Sequence, residues 1–182
     1  MTQIVYRGSS IYIRPFQTAD SAPLFAAASE SLHELCSWMA WCTPDYSLQD
    51  SQSFVARSLL DWQHRQIFCF AILDLADDSL LGSVGITRID WRHNVGNVGI
   101  WVRSSRTGRG IAASAIRLLA TFSFKELGLS RLEILVARDN EASLRVARKI
   151  NASLEGILRQ KLLLGGKRHD AIMCSLLPTD LP

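Results

Sequence analysis

The chain has 182 residues, 48% of them hydrophobic and 20% charged, with a formal net charge of +3. These values suit one soluble globular domain over residues 1–182 and exclude a disordered chain. The apolar runs are short and broken by charge, and no block of Lys and Arg occurs, so neither a membrane nor a nucleic-acid partner is expected. The amino-terminal stretch MTQIVYRGSS lacks the apolar core of a secretion signal, which predicts a cytoplasmic protein. In chain order, IYIRPF alternates like a short strand. TADSAPLFAAASESLHEL then reads as a helix, with Thr18 or Asp20 as N-cap and Pro23 in its first turn. A second helix is expected from about Ser51 to His64. The intervening CSWMAWCTPDYS is too aromatic and too rich in turn residues for either element.

Three strand-like runs follow: IFCFAILD, LLGSVGITRID and NVGNVGIWVR. The short connections LADDS and WRHN predict an antiparallel meander. Then GIAASAIRLLATFSFKELG reads as a helix stopped by Gly128, RLEILVA as a strand and NEASLRVARKI as a helix, which together require a parallel crossover. The end of the chain, around Gly165 and Gly166, reads as a hairpin. The expected class is α+β, a mostly antiparallel sheet with one parallel pair, flanked by helices. Cys36, Cys42, Cys69 and Cys174 lack the spacing of a zinc site, and neither a metal nor a disulfide is expected.

The stretch RSSRTGRGIAA, residues 103–113, joins a strand to a helix and carries two glycines. Free N–H groups at a helix N-terminus, approached by a backbone without side chains, suit phosphate. The plainer alternative, a surface loop with solvated arginines, stays open on the residues alone. Gly108, Gly110 and Ala113 also fit a dinucleotide fingerprint, with Glu133 about twenty residues on. That reading is rejected: Glu133 falls inside its strand, five polar residues precede Gly108, and only one crossover is present. No Gly-Lys-Ser/Thr follows, so a P-loop is excluded too.

The order of IYIRPFQTAD, WMAW, LLGSVGITRID, GNVGIWV, RTGRGIAA, ARDNEASLRVARKI, LEGILRQ and GGKRHDAIMCSLL resembles the GNAT superfamily of acyl-CoA-dependent N-acyltransferases. It is most similar to the RimJ/RimL type, which acetylates amino termini of ribosomal proteins. The resemblance implies acetyl-CoA as cosubstrate and a pyrophosphate cradle built from Arg106, Thr107, Gly108, Arg109, Gly110 and Ile111, with charge from Arg103, Arg106 and Arg109. Family loops often carry Gln or Arg where this chain has Ser105. Asn140 matches the asparagine that contacts the cofactor arm, and Ser143 the serine proposed to protonate the departing thiolate. Helix capping explains either residue equally simply. All three tyrosines precede the loop, which favours Ser143 as the acid. Asn151-Ala152 replaces the family's Gly-Phe, and Asn tolerates the left-handed stop needed there.

The resemblance places the general base as a Glu in a Glu-x-Gly-Tyr-Trp pattern, but this chain reads Asn97-Val98-Gly99-Ile100-Trp101. A second acidic position aligns with Leu162. His93, Asp90, Asp45, Glu34 and His33 remain as candidates, each with an ordinary surface role as the alternative. An α-amino group, with a pKa of about 7.7–8.0 against about 10.4 for lysine, needs less help to lose its proton. Asn97 could orient a water that collects it. Strand N–H groups of Ile100 to Val102 are expected at the oxyanion. Trp38 and Trp41 would line the acceptor channel or cap the core, Asp45 could attract a cationic amine, and Asp170 matches an aspartate frequent in this branch. The expected function is an N-acetyltransferase acting on an amine, foremost a protein α-amino group. A small-amine acetyltransferase and a CoA-binding module without turnover are the alternatives, and a homodimer is left open.

Overall fold

In the computed structural model, which describes residues 4–181, eight strands form one open sheet in the order β1-β2-β3-β4-β5-β6-β8-β7. The strands are β1 (Tyr6–Arg7), β2 (Ile11–Pro15), β3 (Phe68–Asp74), β4 (Leu80–Asp90), β5 (Val95–Val102), β6 (Arg131–Ala137), β7 (Ser153–Leu164) and β8 (Lys167–Leu176). All neighbours are antiparallel except β5 and β6, which run parallel, as the crossover requires. Among the described residues, five α-helices flank the sheet: α1 (Ser21–Ser29), α2 (Leu32–Trp38), α3 (Leu48–Gln63), α4 (Ile111–Lys125) and α5 (Glu141–Lys149).

The period-two alternation of the strands sorts the core into two layers. Phe68, Phe70 and Ile72 of β3 pack with Ile116, Leu119 and Phe122 of α4. On the other face, Ala71 and Leu73 of β3 pack with Leu24 of α1 and Val55 of α3. The Phe122 ring meets Tyr6, Trp62, Phe68 and Phe70 at centroid distances of 5.9, 5.6, 5.7 and 5.0 Å. Truncating a ring so enclosed costs about 3–5 kcal/mol. No helix among the described residues is long and apolar enough to cross a membrane.

Four local features depart from the sequence reading. The single helix expected after β2 is broken into α1 and α2 at Glu30 and Ser31. Ser31 Oγ donates to the Ala27 carbonyl at 2.8 Å, a back-bond that competes with the helical ladder and turns the chain. Helix α3 starts at Leu48 rather than near Ser51, because Ser47 and Asp50 form a reciprocal cap. Strand β1 was not foreseen. Finally, Cys36 and Cys42 form a disulfide with Cα atoms 4.7 Å apart, although no disulfide was expected. Sequence spacing did not bring them close; the reversal after α2 does, with Cys42 N–H donating to the Met39 carbonyl. Asn151 has φ = 60°, the left-handed stop expected of it.

Candidate active site

The parallel pairing of β5 with β6 is short: Val95, Gly96 and Asn97 stand opposite Arg131, Leu132 and Glu133, and there it ends. Past that point β5 continues along β4 and β6 along β8, so a gap opens between them. The Arg103 N–H donates to the Leu81 carbonyl on the β4 side at 2.8 Å. Main-chain groups alternate between the edges of an antiparallel strand, so those of Ile100 and Val102 point the other way, into the gap. These are the two strand positions expected to meet an oxyanion.

At the open end of the gap lies the glycine loop. Ser104–Arg106 form one 3-10 turn; Gly108 and Gly110 take φ of +76° and +81°, values that disfavour any side chain. The first helical bond of α4 is made by Ser114 N–H to the Gly110 carbonyl. The N–H groups of Ile111, Ala112 and Ala113 therefore precede the ladder and are available to an anion. A Cβ on Gly108 would meet nothing within 4 Å, whereas one on Gly110 would stand 3.1 Å from Lys149 Nζ. Lys149, at the end of α5, thus adds a cation to the loop that sequence reasoning missed. The donor set fits a diphosphate: free N–H groups, two left-handed glycines and a neighbouring ammonium.

The three loop arginines have different surroundings. Arg103 is held by Glu30, which accepts from its Nε at 3.0 Å and from Nη2, and it also donates to the Leu80 carbonyl. Arg106 lies 3.6 Å from Asp74, and Arg109 is exposed. Thr107 Oγ1 donates to the Ser104 carbonyl at 2.9 Å. The turn itself is tied to the α1–α2 break: Ser105 N–H donates to Glu30 at 2.8 Å, Ser104 N–H to Ser31 Oγ at 3.0 Å, and Ser104 Oγ to Glu34 at 2.9 Å. The Glu30 carboxyl is held down to about 2 by the Arg103 guanidinium first and the Ser105 N–H next. Nothing in the local sequence signals these contacts across some seventy residues.

Beyond β6, Asn140 caps α5, its Oδ1 accepting from Ser143 N–H at 3.0 Å. The simpler role weighed for Asn140 is therefore realised. Ser143 lies in the first turn, half-buried, on the β6 flank of the gap.

Val98, Ile100 and Val102 pack with the α4 layer, so Asn97, Gly99 and Trp101 face the α1–α3 side. There Trp41 lies 6.1 Å from the Trp101 ring and 5.5 Å from Tyr46. Trp38 ends α2, and Asp45 is an exposed turn residue. Between Asn97 and Trp101, Gly99 is exposed, and a Cβ there would meet nothing within 4 Å. It leaves a hollow in the middle of the sheet. Asn97 Nδ2 donates weakly to Thr87 Oγ1 at 3.4 Å. Glu133, in register with Asn97 on the same face, brings a carboxylate to the apex of the gap, 3.2 Å from Arg131. Sequence reasoning had weighed Glu133 only as a ribose ligand. His93 is not brought to this group: it sits in the turn before β5 with its Nδ1 2.9 Å from Asp90. The length of β5, about 23 Å at ~3.3 Å per residue, separates that turn from Val102. His33 is on α2, whose Leu32 and Leu35 share a packing cluster with Trp101, and Leu162 lies in the β7–β8 hairpin.

A sheet splayed at one parallel pair, with a glycine loop and helix N-terminus at its open end, suits a ligand that carries phosphates. The acetyltransferase (GNAT) domain family matches residues 10–153, and the chain belongs to that family. It is thus an N-acetyltransferase whose acetyl donor is acetyl-CoA. The probable N-acetyltransferase YjcK of Bacillus subtilis is 27% identical over 179 residues, 96% of this chain and 97% of that one. The spermidine N(1)-acetyltransferase of Escherichia coli K12 is 29% identical over 99 residues, 54% of this chain and 53% of the other. Among solved structures, RimL, a ribosomal L7/L12 alpha-N-protein acetyltransferase in complex with coenzyme A, superposes with a TM-score of 0.88 at 21% identity. That match covers 96% of this chain and 98% of RimL and concerns the fold.

Proposed function

We propose that the chain transfers acetyl directly from acetyl-CoA to the α-amino group of a protein or peptide. The observation that carries this reading is the wall of the gap on the α1–α3 side. It offers a hollow at Gly99 between Asn97 and Trp101, and β5 carries Asn97 where the family resemblance implies a Glu base. An α-amine is partly neutral near pH 7.7–8.0, roughly, and tolerates that absence far better than a lysine side chain.

On this reading the residues divide by face. The loop from Arg106 to Ile111 and Lys149 hold the cofactor's phosphates, and Asn140 fixes the first turn of α5 beside its arm. Ile100 and Val102 turn N–H groups toward the acetyl oxygen, where negative charge develops. Ser143 supplies a proton to the departing sulfur. Asn97 orients a water that receives the amine's proton, with the Glu133 carboxylate beside it. Trp38, Trp41 and Asp45 border the acceptor side.

The test is acetyl-CoA consumption across peptides with free N-termini, polyamines and aminoglycosides. Preferential turnover of peptides supports the reading. Preference for polyamines or aminoglycosides replaces it with a small-amine acetyltransferase, and no turnover of any peptide removes the α-amine reading.

A further inference from the structure

Two carboxylates, Asp20 and Asp61, are buried among the described residues, and they are matched very differently. Asp20 accepts from Arg14 Nη1 and Nη2 at 2.7 and 2.8 Å and from Gln17 N–H at 2.7 Å. Asp61 is 9% exposed, and its carboxylate enters no hydrogen bond or ion pair among the described residues. It also stands in the last turn of α3, which holds no basic residue and where the negative end of the helix dipole opposes an acid. One turn earlier, Ser58 Oγ is buried without a partner as well. Two unmatched polar groups thus share one stripe of a helix, and each costs stability as it stands.

What that stripe faces is set by the strands. Ser51, Val55, Ser58 and Asp61 are the buried positions of α3, and Trp62 Nε1 donates to the Cys69 carbonyl at 2.8 Å, fixing this end of the helix at β3. Cys69 pairs with Gly85 and Gly85 with Gly99, so the three form one row across β3, β4 and β5 on the α1–α3 face. The row is low. A Cβ on Gly99 would meet nothing, and one on Gly85 would stand 3.0 Å from the Cys69 thiol, which fills that place. Burial first and the Asp61 charge next push this thiol up to about 12, so it stays protonated and takes no part in the chemistry. A shallow trough therefore leads from the Gly99 hollow to Asp61. Its length, two strand spacings or about 10 Å, is too great for Asp61 to take a proton directly from an amine at the slot, which needs contact within about 3 Å. We propose that Asp61, with Ser58 beside it, binds a positively charged group carried by the acceptor at the far end of this trough; in a peptide that group is the first side chain, an arginine or a lysine. This rests on the proposal that the acceptor is a peptide α-amine. A long cationic side chain reaches down the trough, whereas alanine or serine does not. It also gives both orphaned groups of α3 a partner, and the helix dipole adds to the attraction.

The experiment uses three peptides that differ only in the first residue: arginine, its neutral analogue citrulline, or glutamate. In the wild type, kcat/KM falls in that order, with about a ten-fold step from arginine to citrulline. Asp61→Asn brings that ratio to about one, through KM, with the CoA dissociation constant unchanged, and Asp61→Glu keeps the preference for arginine. The melting temperature separates this role from a structural one: with no partner to lose, Asp61→Asn melts no lower than the wild type. Equal kcat/KM for the three wild-type peptides overturns the proposal, as does an Asp61→Asn variant that melts lower and keeps the selectivity. Binding of the same peptides already acetylated at the N-terminus, read by fluorescence anisotropy with CoA present, isolates the trough from turnover. If no free peptide is acetylated, the α-amine reading fails, and tighter binding of the arginine peptide that is lost in Asp61→Asn still upholds the role of Asp61. Equal binding of the arginine and citrulline peptides removes it.

Discussion

Glu30 accepts a hydrogen bond from the backbone N–H of Ser105 at 2.8 Å, joining the end of α1 to the first turn of the glycine loop. The same carboxylate holds Arg103, so one residue of the α1–α2 break sets the entry of a loop on the far side of β5. Glu30→Gln keeps the shape and removes the charge. These side chains are partly exposed, so the expected loss is about 1 kcal/mol, roughly a five-fold rise in the CoA dissociation constant. Calorimetry of CoA binding checks it, and an unchanged constant would show that the loop holds its own shape. The depressed carboxyl also gives a sign: its contribution to stability is complete above about pH 4.5 and fades as pH falls toward 2. The stability difference between wild type and variant narrows over that interval.

Gly108→Asp should fold, since the left-handed φ adds strain of about 1–2 kcal/mol and a Cβ meets nothing. The carboxylate it brings would oppose a diphosphate. CoA affinity is expected to drop at least about ten-fold, or 1.4 kcal/mol. Full affinity in a folded variant contradicts the phosphate assignment.

Gly99→Val fills the hollow between Asn97 and Trp101 on a strand whose backbone accepts any residue. The acceptor KM should rise roughly ten-fold or more while CoA affinity stays within about two-fold. If instead CoA affinity falls and KM holds, the hollow belongs to the cofactor.

Ser143→Ala removes a hydroxyl but leaves the Asn140 cap, which uses the Ser143 backbone. As the proton donor to sulfur, Ser143 acts only as the bond breaks, so kcat should fall by about 10²-fold or more with acetyl-CoA binding little changed. Matching losses in both would mark it as a positioning residue.

The proton's route is read from pH-rate profiles for two peptides of different N-terminal pKa. At low acceptor concentration the inflection should move with the peptide, and His93→Ala should change nothing, because that turn lies at the far end of β5. An inflection common to both peptides and lost in Glu133→Gln would make Glu133 the base. Asn97→Glu should raise activity toward more basic amines.

Local grammar carried much of this fold. The glycine loop, the Asn140 cap and the hairpin around Gly165 are each written within a few residues, where capping and left-handed backbone leave a compositional mark. The elements that failed to show were tertiary. The α1–α2 break depends on Ser31 turning its hydroxyl back to Ala27, which the helical spacing of SAPLFAAAS gives no reason to expect. The Glu30 clamp, the Lys149 ammonium at Gly110 and Glu133 beside Asn97 all need the sheet order before they become neighbours. The Cys36–Cys42 bond needs the reversal after α2. Of the proposed site, the phosphate loop was thus legible as a segment, while the acceptor wall emerged only once β5 and β6 were laid side by side.

That side-by-side arrangement stops at Asn97 and Glu133, and the sheet has a slot through it from there to its edge. A slot has two mouths. On the proposed assignment the donor threads in from the α4–α5 layer and the recipient from the α1–α3 layer, so neither blocks the doorway of the other. Each can arrive or depart while its counterpart remains seated, and both must be present together for transfer. Kinetically, this means intersecting lines in initial-rate plots, and no acetylated enzyme accumulating when donor is supplied alone.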